Sequence, residues 1–135
     1  MIREENMTFG QFIRKKRLES SKELTLKKAA EALGMSLSLY NEIEKDRRAP
    51  SETFNYEGLA ELLELDEGEK ALLYDLAAKK KGVVPSDIED VMMYSNSGSY
   101  ARIALRLTNE GAASEEDWKK FVSALEERKR GKTGD

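Results

Sequence analysis

The segment from Ser36 to Arg48 places short hydrogen-bonding side chains directly before a cluster of cations. Asparagine can form two hydrogen bonds with adenine, glutamate can accept one from cytosine N4, serine can pair with either base edge, and leucine can contact the thymine methyl group. Side chains of these types share the outer face of a predicted helix at Leu37, Ser38, Asn41 and Glu42, with Leu39 at its margin. The pattern indicates a surface that contacts bases.

Three cations follow this predicted helix, at Lys45, Arg47 and Arg48. Contacts to phosphate require charge and reach, and they fix the register of a protein on a duplex without specifying sequence. We therefore predict that these side chains bind the phosphates that flank a groove.

Each of the base-contacting candidates also has an ordinary structural explanation. Leu37 and Leu39 could pack against neighbouring side chains or a partner protein, and Asn41 and Glu42 could be solvated polar residues. Their shared position on one helix, directly before three cations, favours the nucleic-acid interpretation.

The 135-residue chain contains no cysteine and no histidine. Disulfides, zinc-finger sites and catalysis by Cys–His or Ser–His–Asp groups are therefore excluded. The remaining carboxylates, lysines and tyrosines form no recognisable catalytic arrangement, so we expect no enzyme activity and no metal or cofactor. No apolar stretch approaches the roughly 20 residues that span a bilayer, and the N-terminus lacks the apolar core of a signal peptide. We expect a cytoplasmic protein without a membrane partner.

A short predicted helix and a glycine turn precede the base-contacting segment. Thr25 is the expected N-cap of this helix, and Ala29 and Ala30 supply small residues where it would cross the next one. Gly34 supplies the turn.

Ser36 then caps a helix predicted at 36–45, which would bury Tyr40 and Ile43 on its inner face. Two short helices joined by such a turn form the helix-turn-helix layout.

Helical patterns fill the rest of the chain. In the first part of the chain, Thr8 and Gln11 open a first helix, a fourth follows Pro50 and Ser51 with Phe54 in its core, and a fifth follows Asp66 and ends at Lys79–Gly82. A short helix is then predicted from Ser86 to about Tyr94, followed by a loop at 95–99. The last two predicted helices are one with Tyr100, Ile103, Ala104 and Leu107 on its apolar face and one capped by Ser114. We expect the lysine-rich tail after Arg128 to fray.

The charge is unevenly distributed along the chain. Residues 1–50 hold 11 Lys/Arg and 8 Asp/Glu, a net +3, whereas residues 51–135 hold 12 and 18, a net −6. The asymmetry indicates separate roles. The stretch from Gly82 to Pro85 is the best candidate for a linker. We therefore predict a DNA-binding domain at 8–82 and a helical extension at 83–135 that serves dimerisation or regulation.

Three consecutive lysines at 79–81 close the predicted fifth helix. They could bind nucleic acid, but cations in a last turn also complement the helix dipole, and we favour that explanation.

Residues 12–50 share several spaced features with one known family. A helix-one arginine, an alanine-rich second helix, a glycine, a serine cap, and a glutamate followed by a basic turn and proline occur at Arg17, Ala30, Gly34, Ser36, Glu44, Arg47, Arg48 and Pro50. In this pattern the chain resembles the Cro/C1-type (XRE) helix-turn-helix regulators. The resemblance extends through the fourth helix, over roughly half of the chain. It implies an all-α fold, with a lambda-repressor-like five-helix DNA-binding domain, its third helix in the major groove, followed by a helical C-terminal extension.

The resemblance further implies a structural ion pair between Arg17 and Glu44 that ties the first helix to the third. The chain departs from the family pattern in three places. Leu26 replaces a glutamine that often touches DNA, Asp46 replaces a glycine with left-handed backbone, and the loop between the first two helices is about two residues longer than usual. The contact that this glutamine makes is then either lost or passed to Thr25 or Lys27. The predicted phosphate-contacting set is therefore Thr25, Lys27, Ser36, Lys45, Arg47 and Arg48.

The later helices carry apolar stripes, including Trp118, Phe121, Val122 and Leu125, that must be covered by the first domain or by a second copy. A homodimer would place two recognition helices about 34 Å apart on double-stranded DNA. The leading hypothesis is a dimeric transcription regulator, a repressor that binds a short palindromic operator. The alternative is an antitoxin-like interaction module that neutralises a protein partner.

Overall fold

The computed structural model describes residues 2–133. In this part of the chain all regular secondary structure is helical, with no strand. A short 3₁₀ turn at Glu4–Asn6 precedes the helices. These are α1 (Phe9–Glu19), α2 (Leu26–Ala32), α3 (Leu37–Glu44), α4 (Tyr56–Leu62), α5 (Glu67–Lys81), α6 (Ser86–Tyr94), α7 (Gly98–Asn109) and α8 (Glu115–Thr133). The expected all-α fold is confirmed.

The chain divides into two compact units, one ending at Pro85 and one beginning at Ser86. The first unit contains α1–α5 around a single apolar core. Its largest fully buried side chains come from four of the five helices and the loop before α4, and they are Phe9, Phe12, Ile13, Tyr40, Pro50, Leu59 and Leu73.

Several helices of the first unit begin and end where side-chain capping groups stand. Thr8 and Gln11 form a capping box at the start of α1, and Asp66 and Glu69 form another at the start of α5. Gly82 ends α5 with left-handed backbone at φ 73°. Such caps satisfy backbone groups that the helix ends leave without partners.

The fourth helix begins later than the sequence pattern predicts. It starts at Tyr56 because the Asn55 side chain accepts a hydrogen bond from Gly58 N at 2.9 Å, whereas the hydroxyl of Ser51 lies 3.2 Å from that of Thr53. Phe54 is buried as expected, but it lies in the loop that precedes α4.

One expectation for the second unit is also wrong. Helix α7 begins at Gly98, inside the predicted loop, because this glycine packs directly against the end of α6. A Cβ atom there would stand 2.7 Å from the Met92 carbonyl oxygen. Helix α8 continues past Arg128 to Thr133, and residues 134 and 135 lie outside the described residues, so the expected fraying of this tail stays a prediction.

The second unit buries very little of its own surface. Gly98 is the only buried residue between 86 and 132. The Trp118 indole donates a hydrogen bond to the Thr108 hydroxyl at 2.9 Å and joins α8 to α7, and Arg102 donates to the Met92 carbonyl.

Candidate nucleic-acid interface

Small residues and a left-handed glycine set the geometry of α2 against α3. Ala29 and Ala30 are 0% and 2% exposed, which allows the two helices to pack closely. Gly34 adopts φ 68°, and Met35 N donates to the Ala30 carbonyl at 3.0 Å, closing the turn. A residue other than glycine would be strained at this φ.

Helix α3 has an inner face fixed in the core and an outer face open to solvent. Ser36 caps it by accepting a hydrogen bond from Leu39 N at 3.1 Å. On the outer face Leu37 and Ser38 are exposed, while Asn41 and Glu42 are half-buried. These four predicted base-contacting residues therefore lie together on the accessible side of one helix.

Leu39 lies between this outer face and the core. It is partly buried and packs against the core cluster, so its place at the margin of the base-contacting surface stays a prediction. The helical turn from Leu39 to Ile43 carries both side chains inward.

A buried ion pair holds the C-terminal turn of α3 against α1. Arg17 Nη2 lies 2.7 Å from Glu44 Oε1, and Arg17 Nε donates to Glu44 Oε2 at 3.0 Å. Arg17 Nη1 also donates to the Leu24 carbonyl at 3.0 Å, which adds the α1–α2 loop to the network. The hydrogen bonds to Glu44 raise the pKa of the Arg17 guanidinium above its ordinary value. The pair therefore fixes the orientation of α3.

The Tyr40 phenol lies beside this pair and is fully buried. Burial, and then the negative charge of Glu44, raise the pKa of the phenol above its ordinary value. Tyr40 therefore stays neutral, and its ring belongs to the buried core cluster.

Asp46 stands directly after the end of α3, at the position where the Cro/C1-type pattern has a glycine. Its backbone is left-handed, at φ 62°, as the resemblance implies. Its carboxylate accepts hydrogen bonds from Gly10 N at 2.9 Å and from the Thr8 hydroxyl, at the start of α1. Asp46 therefore links the exit of α3 to the N-terminus of α1, a role that sequence spacing gives no sign of.

The predicted phosphate-contacting cations surround this exit. Lys45, Arg47 and Arg48 are exposed, and Arg47 Nη1 lies 3.5 Å from Glu42 Oε1. One predicted base-contacting side chain and one predicted phosphate-contacting side chain are thus paired in the unbound protein.

The other members of the phosphate set lie at the beginnings of α2 and α3. Lys27 is exposed in the first turn of α2. Thr25 caps that helix, accepting from Lys28 N at 3.1 Å, and Ser36 caps α3. Each hydroxyl proton remains available to donate to a phosphate oxygen.

One cation near the exit of α3 was not selected from the sequence. Lys80, in the last turn of α5, donates to the Asp46 carbonyl at 2.8 Å. From the sequence, the helix dipole is the favoured explanation of the lysine run at 79–81, and contact with nucleic acid is the alternative. Only the folded structure shows that Lys80 also lies beside the exit of α3, because 34 residues separate it from Asp46 in the sequence.

Residues 8–73 match the family model described as a helix-turn-helix domain. This segment is a helix-turn-helix domain. The match includes α1–α4 and the first half of α5, and with them every predicted base- and phosphate-contacting residue. No curated protein and no solved structure matches the chain. The helix-turn-helix domain suggests a DNA-binding regulator.

Between residues 2 and 133, no helix is both long enough and apolar enough to cross a membrane. The same residues contain no group of acidic side chains arranged to hold a metal ion.

Proposed function

We propose that this protein is a sequence-specific DNA-binding transcription regulator of the Cro/C1 type, in which α3 enters the major groove. The observation that carries the proposal is the outer face of α3, which presents Ser38 and Asn41 beside the exposed cations Lys45, Arg47 and Arg48. Base contacts come from the first group and phosphate contacts from the second.

The buried scaffold supports this division of roles. The Arg17–Glu44 pair and the Asp46 carboxylate both hold the C-terminal end of α3 to α1. A helix anchored on its inner face presents its outer side chains at fixed positions, which base recognition requires.

The contact between Arg47 and Glu42 supports a specific sequence of events on binding. Both side chains are partly exposed, at 62% and 36%, so the pair is weak. In the complex Arg47 turns to a phosphate, and Glu42 is released to accept a hydrogen bond from cytosine N4. In the free protein, Arg47 thus offsets the charge of Glu42 until DNA takes the place of Arg47 beside it.

The regulator acts as a homodimer on a short palindrome and represses transcription by occupying the operator. Two copies of α3, about 34 Å apart, would enter successive major grooves on one side of the duplex. Much of the affinity comes from phosphate contacts and falls steeply with salt.

Fluorescence anisotropy with duplex DNA from upstream of the protein's own gene tests this proposal, at about 50 and about 200 mM salt. We expect tight, salt-sensitive binding that exceeds binding to a scrambled duplex. Changing Arg47 and Arg48 together to alanine should weaken binding to both duplexes, whereas Arg106→Ala, an exposed arginine on α7, should not. Equal, salt-insensitive binding to both duplexes would contradict the proposal.

A further inference from the structure

Helix α8 carries an apolar stripe that the chain leaves open to solvent. Phe121, Val122 and Leu125 are 51%, 49% and 42% exposed. From Glu115 to Lys132, every residue except Trp118 is exposed. The stripe lies at helical spacing and forms one face of the helix.

Nothing within residues 86–132 gives this helix a core to pack on, since Gly98 is the only residue there that is buried. Helix α8 has 19 residues, and its contact with α7 runs through Trp118 near the N-terminal end, so most of its length has no packing partner within the second unit. Most helical stability in proteins comes from packing an amphipathic face, so a partner that covers the stripe would stabilise α8.

The charges of α8 identify what covers it. The first turn is acidic, with Glu115, Glu116 and Asp117, and the last turn is basic, with Arg130 and Lys132. Two copies placed antiparallel bring each acidic end against the basic end of the other. Two parallel copies would place like charges together at both ends, which is destabilising.

We propose that α8 pairs antiparallel with α8 of a second copy of this chain. Phe121 of each copy lies against Leu125 of the other, and the two-fold axis passes at the level of Ser123. This register also sets Asp117 beside Arg128 of the second copy, on the flank of the apolar stripe. The contact is isologous, so every interaction occurs twice.

This inference rests on the dimer of the proposed function and names its interface. Its test uses no DNA, so a failure here is distinguishable from a failure of DNA binding.

Sedimentation equilibrium of the full chain measures the pairing. The wild-type chain should be a reversible dimer. Changing Arg128 and Arg130 together to glutamate makes both ends of α8 acidic, and should raise the dissociation constant about tenfold or more. Arg106→Glu makes a like-signed change at an exposed position of α7, away from both ends of α8, and should leave the constant unchanged.

A complementary variant separates lost charge pairing from lost folding. Glu115→Lys with Glu116→Lys makes both ends of α8 basic, so that variant should also dissociate alone. An equimolar mixture of the acidic and basic variants should restore the dimer, since each end then meets its opposite. A monomeric wild-type chain overturns the proposal. So does a wild-type dimer that the Arg128 and Arg130 changes leave intact.

Discussion

At the residue scale, the buried pair of Arg17 and Glu44 is the contact on which the position of α3 depends most. Arg17→Ala leaves the Glu44 carboxylate buried without its cation, so we expect the free energy of unfolding to fall by about 3–5 kcal/mol. Urea denaturation followed by circular dichroism measures the change. Arg14→Ala removes an exposed arginine three residues earlier on the same helix and should alter stability by less than about 0.5 kcal/mol. Equal effects of the two substitutions would argue against the assigned role.

Sequence reasoning at this scale identified the residues that act locally. The caps at Thr8, Thr25 and Ser36 each depend on a hydrogen bond to a backbone group three residues away, and sequence spacing predicts such contacts well. The second role of Asp46, as an acceptor for the start of α1, joins residues 36 positions apart. Sequence spacing carries no information about such a contact.

At the scale of elements, the approach of α1 to the end of α3 requires a glycine. A Cβ atom on Gly10 would stand 2.3 Å from the Glu44 carbonyl oxygen and 2.7 Å from Asp46 Oδ2. The first of these atoms is backbone and cannot move without displacing α3. Gly10→Ala should therefore destabilise the domain strongly and weaken DNA binding together with it.

A second glycine supplies the control for this prediction. On α5, a Cβ atom on Gly68 would meet only Asp66 Oδ1, at an ordinary 3.5 Å. Gly68→Ala should stabilise the domain by about 0.5–1 kcal/mol, because alanine loses less backbone entropy in a helix. Thermal denaturation of both variants checks the pair. Similar shifts in the same direction would refute the close-approach argument.

The contact between α1 and α5 should respond to acid. The Lys16 ammonium donates to the Glu69 carboxylate, and this hydrogen bond, followed by that from the Asp66 backbone, lowers the Glu69 pKa below its ordinary 4.5. A carboxylate with a lowered pKa contributes stability that is present above the unfolded-state pKa and is lost as pH falls through the folded-state pKa.

Glu69→Gln isolates this contribution, because glutamine keeps an acceptor for the Asp66 N–H and removes the charge. At neutral pH the variant should be less stable by up to about 1 kcal/mol, and the difference should shrink as pH falls from about 5 towards 2. Urea denaturation across that range measures it. In a Lys16→Met background the same substitution should have a smaller effect. A difference that is independent of pH would contradict the ion-pair explanation.

The sequence predicts each of the eight helices between residues 2 and 133, but it misplaces the starts of α4 and α7. The start of α4 depended on which of several polar residues caps it, and Asn55 competes successfully with Ser51. The start of α7 depends on Gly98. Sequence patterns associate glycine with loops, but here the missing side chain allows the first turn of α7 to pack against the end of α6.

At the scale of the whole molecule, folding brings Lys80 to the exit of α3, where it extends the cationic surface. If this surface binds phosphates, Lys80→Ala should weaken binding to all sequences alike and reduce the slope of log affinity against log salt by about 1. Lys79→Ala removes the same charge one residue earlier and should leave the slope unchanged. Anisotropy titrations over a range of salt concentrations measure both slopes. An unaltered slope for Lys80→Ala would exclude it from the interface.

The helix-turn-helix architecture was predictable from the sequence because its markers lie close together in the chain, at Ala30, Gly34 and Ser36. The contribution of α5 to the candidate interface was not predictable in this way, because Lys80 reaches the exit of α3 only in the folded chain. The partner proposed for α8 depends on two observations. The sequence shows the distribution of charge along the helix, and only the structure shows that its apolar stripe is exposed.

The measurement that tests the central claim most directly is in vitro selection from a random duplex library, with the wild-type protein and Asn41→Ala compared. The account predicts that the wild-type protein enriches a palindromic motif. Asn41→Ala should lose discrimination at one base pair in each half-site, by about 1–3 kcal/mol, and keep the rest of the motif. A wild-type protein that enriches no motif, or a variant that selects the identical motif with equal stringency, would contradict the assignment of α3 as the base-contacting helix.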